Sequence, residues 1–145
     1  TVDSSRSMID STSLTAQMKF NYAPGGNYYI VVKHRNSIQT WSKNGGENFD
    51  PMTADSYNFT SSTSQAFGNN MTAADNSHVI FALYSGDVKQ DEVIDGSDVL
   101  LIGNDAFNYV TGYIVTDLNG DETADGTDQS IADNNAYNYV GVERP

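Results

Sequence analysis

Asp87-Val-Lys-Gln-Asp-Glu-Val-Ile-Asp-Gly-Ser-Asp98 returns thirty residues later as Asp117-Leu-Asn-Gly-Asp-Glu-Thr-Ala-Asp-Gly-Thr-Asp128. The correspondence runs on past the acidic stretch, since Asn104-Asp-Ala-Phe-Asn-Tyr-Val110 matches Asn134-Asn-Ala-Tyr-Asn-Tyr-Val140. A fixed period of this kind marks two copies of one supersecondary unit. Each copy is too small to bury its own apolar face, so the two are expected to pack together.

The chemistry follows from the spacing. Oxygen side chains at loop positions 1, 3, 5, 9 and 12, with a backbone carbonyl at 7, are what a calcium loop supplies. In the second copy these are Asp117, Asn119, Asp121, the Thr123 carbonyl, Asp125 and Asp128. In the first they are Asp87, Asp91, the Val93 carbonyl, Asp95 and Asp98, because position 3 is Lys89 and offers no oxygen. Position 6, where such loops place glycine to turn with positive φ, is Glu92 and Glu122, and position 12 is Asp rather than Glu. A solvated acidic turn is the competing reading. Carboxylates packed this closely repel one another, and a bound dication removes the repulsion, so two Ca2+ sites are expected.

Two calcium loops with Asp at position 12, each followed by one helix and preceded by none, resemble the type I dockerin repeat pair over roughly residues 84–145. The stretch before them, with Gly26-Asn-Tyr-Tyr-Ile-Val-Val-Lys-His-Arg35, Tyr57-Asn-Phe-Thr60 and Gln65-Ala-Phe-Gly68, is similar to the β-rich region that precedes such repeats at the C-termini of secreted surface proteins of Bacteroidota-like bacteria. The resemblance implies a cohesin-like receptor as one partner and an extracellular or cell-surface location.

Charge divides the chain at the same place. Residues 1–85 carry six acidic and five basic side chains, and residues 86–145 carry thirteen acidic and two basic, which makes net −1 and net −11. The acidity belongs to the repeat. It argues against nucleic acid, whose phosphates call for clustered Lys and Arg. There are no cysteines and hence no disulfides, and a small secreted domain without them relies on metal or assembly. No apolar run approaches about 18 residues, so no membrane span is expected. No signal-peptide pattern opens the chain, so for a secreted protein Thr1 is expected to be a processed start.

Two domains follow: a β-sandwich over 1–84 and the loop–helix pair over 85–145. Leu14, Ala16, Met18 and Phe20 alternate with polar residues, which predicts a half-buried strand. Tyr28 to Val32 is the strongest strand, extending through His34 to a turn near Asn36-Ser37, with Ile38–Ser42 returning as its hairpin partner. Lys43-Asn-Gly-Gly46 is a turn, as is Ala23-Pro-Gly-Gly26. Ser56–Thr60 and Gln65–Phe67 are short strand candidates, and His78–Tyr84 is a further strand. Helices are expected over Val99–Tyr109 and Gln129–Tyr139, with Leu101, Ala106 and Phe107 facing Ile131, Ala136 and Tyr137. Five or six strands fall short of the roughly seven of an immunoglobulin-type sandwich. An incomplete sandwich leaves an edge that pairs with other chains. Residues 1–12, apolar only at Val2, Met8 and Ile9, are the segment one copy would donate to the next.

Nothing in the chain reads as catalytic machinery. There is no nucleophile elbow, no cysteine nucleophile and no phosphate-binding glycine loop, and His34 and His78 read as strand histidines. The leading expectation is a non-catalytic, calcium-stabilised structural or adhesion module that assembles with its own copies into a surface filament. A dockerin that docks a cohesin-like receptor is the alternative. A carbohydrate-binding module is a third reading, on an aromatic platform of Trp41, Tyr28, Tyr29 and Tyr57. Asn58-Phe-Thr60 and Asn70-Met-Thr72 fit the N-glycan acceptor pattern, and Thr60–Ser64 is a candidate run for O-linked sugars.

Overall fold

A computed structural model describes residues 1–145. Six short strands come first: β1 (Gly26–Tyr28), β2 (Val31–His34), β3 (Ser37–Trp41), β4 (Glu47–Phe49), β5 (Thr72–Ala73) and β6 (Phe81–Ala82). Helices α1 (Gly96–Phe107) and α2 (Gly126–Tyr137) follow. The strands pair two by two and antiparallel, β1 with β4, β2 with β3 and β5 with β6. The architecture is therefore three short antiparallel ribbons and two helices, where the sequence suggested larger stacked sheets. No helix is long and apolar enough to cross a membrane.

The first two ribbons are consecutive parts of one hairpin. Val31 pairs with Trp41 and His34 with Ser37, so the turn falls at Arg35-Asn36, close to its expected place. The Ser42 N–H then donates to the Ile30 carbonyl at 2.8 Å. Beyond it Lys43–Gly46 loops out, and pairing resumes with Tyr28 opposite Glu47 and Gly26 opposite Phe49. The single strand expected over Tyr28–Val32 is thus broken at Tyr29-Ile30, because its partner carries extra residues that force a change of register.

Four expected strands do not form as read. Residues 14–20 make no ladder, and Leu14 sits at φ 54° as the end of a turn held by the Asp10 side chain and carbonyl. Alternation selects a face but supplies no partner strand, and Phe20 packs edge-on against Phe49. His78–Tyr84 shrinks to Phe81–Ala82. Asp75 accepts the Val79 and Ile80 N–H groups at 3.0 and 3.1 Å, so a side chain takes donors that a ladder would need. Ser56–Thr60 has no strand, and Gln65–Phe67 falls across two short 3-10 turns, Thr63–Gln65 and Phe67–Asn69.

Both helices form, shifted three residues toward the N-terminus at their starts. Asp95 and Asp125 are the N-caps, and each makes a reciprocal capping box with Asp98 or Asp128. The last loop residues are therefore already the first helical turn. At the other end Tyr109 and Tyr139 adopt φ 52° and 54°, and the Val110 and Val140 N–H groups reach back to Asp105 and Asn135 carbonyls at 3.1 Å. This is the Schellman closure, which stops each helix two residues before its expected end.

The packing face corrects the sequence reading. Ile102 and Ala132 are fully buried with Val88, against Val99 and Leu118. Leu101 is 44% exposed, Phe107 83% and Tyr137 84%. One residue along a helix is a rotation of about 100°, so a reading one position early names the wrong face. A second cluster joins Ile38 of β3 to Ile94 and Val140 of the repeat, with Tyr84, Ala136 and Val142 around it. The hairpin and the repeat therefore share a core across residues 84 and 85. The Ile38 N–H donates to the Tyr84 carbonyl at 2.9 Å, and the Asn135 side chain donates to the Ser85 carbonyl at 2.7 Å.

Truncating Ile38 or Ile102 to Ala is expected to cost about 2–5 kcal/mol, while Leu101→Ala costs about 0.5 kcal/mol or less. Denaturant unfolding followed by circular dichroism measures all three. Leu101→Ala as costly as Ile102→Ala would restore the packing face expected from the sequence.

Candidate metal centre

Loop one (residues 87–98) and loop two (residues 117–128) are each fastened to the end of the other repeat's helix. The Ile94 N–H donates to the Val140 carbonyl at 2.8 Å, and the Ala124 N–H donates to the Val110 carbonyl at 2.9 Å. Glu92 and Glu122 carbonyls accept from Val142 and Gly112 at 2.9 and 2.8 Å. Because carbonyls alternate along an extended chain, these bonds leave the intervening Val93 and Thr123 carbonyls on the side away from the helix-end partner.

Four carboxylates are buried: Asp87 and Asp98 in loop one, Asp117 and Asp128 in loop two. Backbone N–H groups surround each. Asp98 accepts from Lys89 at 3.0 Å and Asp95 at 3.1 Å. Asp128 accepts from Leu118, Asn119 and Asp125 at 2.7, 3.1 and 2.9 Å. Asp87 takes the Asp91 and Glu92 N–H groups, and Asp117 takes those of Gly120 and Glu122. Position 1 thus holds the turn, and position 12 closes the loop onto its helix. Burial raises the Asp87 carboxyl above its ordinary value. The Asp91 and Glu92 N–H groups oppose that shift, and the charges of Asp98 and Asp91 add to it.

The expected ligands are arranged differently in the two loops. One oxygen each from Asp87, Asp91 and Asp98 lies within 4.8 Å of the others. Oxygens about 2.3–2.6 Å from one ion are spaced up to roughly twice that distance, so this set fits a hard cation. In loop two, Asp117 and Asp128 are buried at the corresponding positions. Asp121 instead accepts from the Thr123 N–H at 2.9 Å and the Asn119 side chain at 3.0 Å, and Asn119 Oδ1 accepts from the Asp121 N–H at 2.8 Å. Asp95 and Asp125 are turned to cap the helices, accepting from Ser97 and Thr127 N–H groups at 2.8 and 2.7 Å. Asp95 is held below its ordinary pKa, first by the Ser97 hydroxyl and then by its N–H.

Glu92 and Glu122 sit at φ 79° and 68°, the left-handed turn that position 6 demands. A second left-handed residue, at position 4, is invisible in the motif: Gly120 takes φ 84°, whereas loop one uses Gln90 at φ 57°. The Gln90 side chain offsets this by donating to the Asp87 carbonyl at 2.6 Å. Also unread in the sequence is the hairpin turn against loop two. The Asn36 side chain donates to the Asp117 carbonyl at 2.8 Å, and Arg35 Nη2 lies 3.8 Å from Asp117 Oδ2, with its guanidinium over the Tyr113 ring. No local spacing announces a partner some eighty residues away.

The other candidates are scattered. His34 ends β2 with its side chain exposed and Nδ1 3.2 Å from Ser37 Oγ; partial desolvation lowers its pKa, helped by Arg35. The aromatic residues proposed as a platform divide into separate edge-to-face pairs: Tyr28 with Phe49, Tyr29 with Trp41 and Phe67, Tyr57 with Phe59. Asn58 is exposed and accepts from the Thr60 N–H and hydroxyl, whereas the Asn70 amide donates to the Gly141 carbonyl at 2.8 Å.

Comparison with known proteins gives no relative for this arrangement: no family model matches the chain, and neither a curated protein nor a solved structure matches it.

Glu122→Gly is expected to stabilise the chain by about 1 kcal/mol by relieving a left-handed non-glycine residue. Asp128→Ala leaves three loop N–H groups without an acceptor and should cost about 1–3 kcal/mol for those groups alone. Thermal melts without added metal measure both. A destabilised Glu122→Gly, or an Asp128→Ala variant that melts with wild type, would overturn this reading of the loops.

Proposed function

We propose that this chain is a non-catalytic, calcium-stabilised extracellular or cell-surface module whose copies assemble into a filament. The observation that carries the calcium reading is the gathering of Asp87, Asp91 and Asp98 in the loop whose spacing called for it. Asp95, which here caps α1, and the Val93 carbonyl would complete that set. Loop two would use Asp117, Asn119, Asp121, the Thr123 carbonyl, Asp125 and Asp128. Bound calcium supplies charge neutralisation to carboxylates that the fold has withdrawn from water. The chain's own residues do the rest: the position 1 and 12 carboxylates pin the loops, and the helix-end bonds carry that order to Val110 and Val140.

Assembly rests on the N-terminal arm and the short ribbons. Residues 1–10 form no strand, Met8 is 91% exposed, and Val2 and Ile9 are also exposed. The arm is held by polar bonds such as Tyr22 N–H to Asp3, and no apolar pocket covers it. Each ribbon has only two strands, and a strand from another copy would extend them toward the immunoglobulin-like sandwich by β-augmentation. A head-to-tail contact that does not close makes a filament. Of the two glycan acceptors, exposed Asn58 suits a surface sugar better than Asn70, whose amide holds the C-terminal segment.

One observation favours the receptor-docking reading as an alternative. Phe107, Tyr109, Tyr137 and Tyr139 occupy matching positions at the two helix ends, and each is more than four-fifths exposed. Such a paired aromatic face suits a cohesin-like receptor.

Removing calcium with a chelator is expected to lower the melting midpoint of the full chain, with the loss of helix leading. Deleting residues 1–12 should abolish assembly without lowering that midpoint. Sedimentation of the calcium-saturated chain checks the second point. A wild-type chain that stays monomeric at high concentration rejects strand donation, and a midpoint indifferent to chelation rejects the calcium reading.

A further inference from the structure

The two loops carry five carboxylates each, but Lys89 brings loop one to a formal charge of −4 while loop two keeps −5. Lys89 does more than lack an oxygen at position 3. Its backbone N–H donates to Asp98 Oδ1 at 3.0 Å, which fixes where the side chain starts. From there Nζ reaches 3.0 Å from Asp91 Oδ2 and donates to Ser97 Oγ at 2.8 Å. Asp91 is one of the three residues whose oxygens converge in loop one. The ammonium thus lies against the ligand set, on a carboxylate that calcium would need. Resting on the calcium reading above, we infer that the Lys89 ammonium is a tethered competitor for calcium in loop one, so that the two loops fill in sequence, loop two before loop one.

Magnitudes locate the effect. Both side chains of the Lys89–Asp91 pair are 40% exposed, and an exposed ion pair of this kind adds little to fold stability. Its leverage is on ion entry. A dication must either displace the ammonium from Asp91 or share the loop with a like charge a few ångströms away. Loop two has no such contest, because Asn119 brings a neutral side chain to the same position. The asymmetry also separates two parts of the fold. Loop one is joined through Ile94 to Val140 and Ile38, and loop two through Asp117 to Arg35 and Asn36.

The experiment is a calcium titration of the full chain followed by the amide resonances of Gly96 and Gly126, which report the two loops separately, with calorimetry for the affinities. Three chains are compared: wild type, Lys89→Met, which removes the charge and adds no oxygen, and Lys89→Asn, which installs the residue type of loop two. Wild type should show Gly126 shifting before Gly96. Lys89→Met should tighten the loop-one site by about tenfold at low salt, the scale of one charge facing a dication in a water-rich loop. That gain should shrink as salt is raised, and Lys89→Asn should tighten the site further. Loop-two affinity should hold within twofold throughout. A Lys89→Met chain whose Gly96 transition coincides with wild type overturns the inference, even where Lys89→Asn binds more tightly, since the missing oxygen alone would then explain the weaker site. A Gly126 resonance that ignores calcium in every chain rejects the calcium reading itself, and with it this inference.

Discussion

The fold of the repeat depends on two carboxylates that have lost their water. Asp98 and Asp128 are fully buried at the start of their helices, where an unpaired charge would be costly. Each is satisfied by backbone N–H groups from both ends of its loop: from Lys89 and Asp95 for one, and from Leu118, Asn119 and Asp125 for the other. That single requirement closes the loop, starts the helix with a capping box and brings position 1 beside position 12. The side chains expected as cation ligands thus also start the helices, and Asp95 and Asp125 act in this geometry as helix caps.

From this constraint the rest of the unit follows. Once a helix begins at Gly96 or Gly126, its Schellman end delivers Val110 or Val140 to the opposite loop, where each accepts from Ala124 or Ile94. Neither repeat is complete alone, because each helix end finishes the other copy's loop. The β hairpin enters through Ile38, whose buried side chain meets Ile94 and Val140. The domain boundary expected between residues 84 and 85 is thus crossed by an apolar core.

The legible parts of the sequence were local. Repeat spacing and turn residues sit within a few residues of what they determine, and they placed both loops, both helices to within three residues and the hairpin turn to within one. The illegible parts were long-range or competitive. Leu14 to Phe20 has the alternation of a strand and no strand beside it. Asp75 intercepts the N–H groups of Val79 and Ile80. Leu101 and Ile102 are equally apolar, and only packing against Val88 and Ala132 shows which one turns inward. Arg35 reaches Asp117 across the fold with no motif to announce it. The site shows the same division: Asp87, Asp91 and Asp98 converge as their spacing implied, while Asn119 and Asp121 bond to each other.

The central claim is that the doubled loop is a pair of calcium sites. Native mass spectrometry of the full chain, exchanged into volatile buffer with calcium, counts the ions directly. The account predicts a species carrying two calcium ions per chain, reached through a species carrying one, with Asp128→Ala stopping at one. A chain that stays at its metal-free mass, or takes up calcium in an unbroken series with no end point at two, would contradict it.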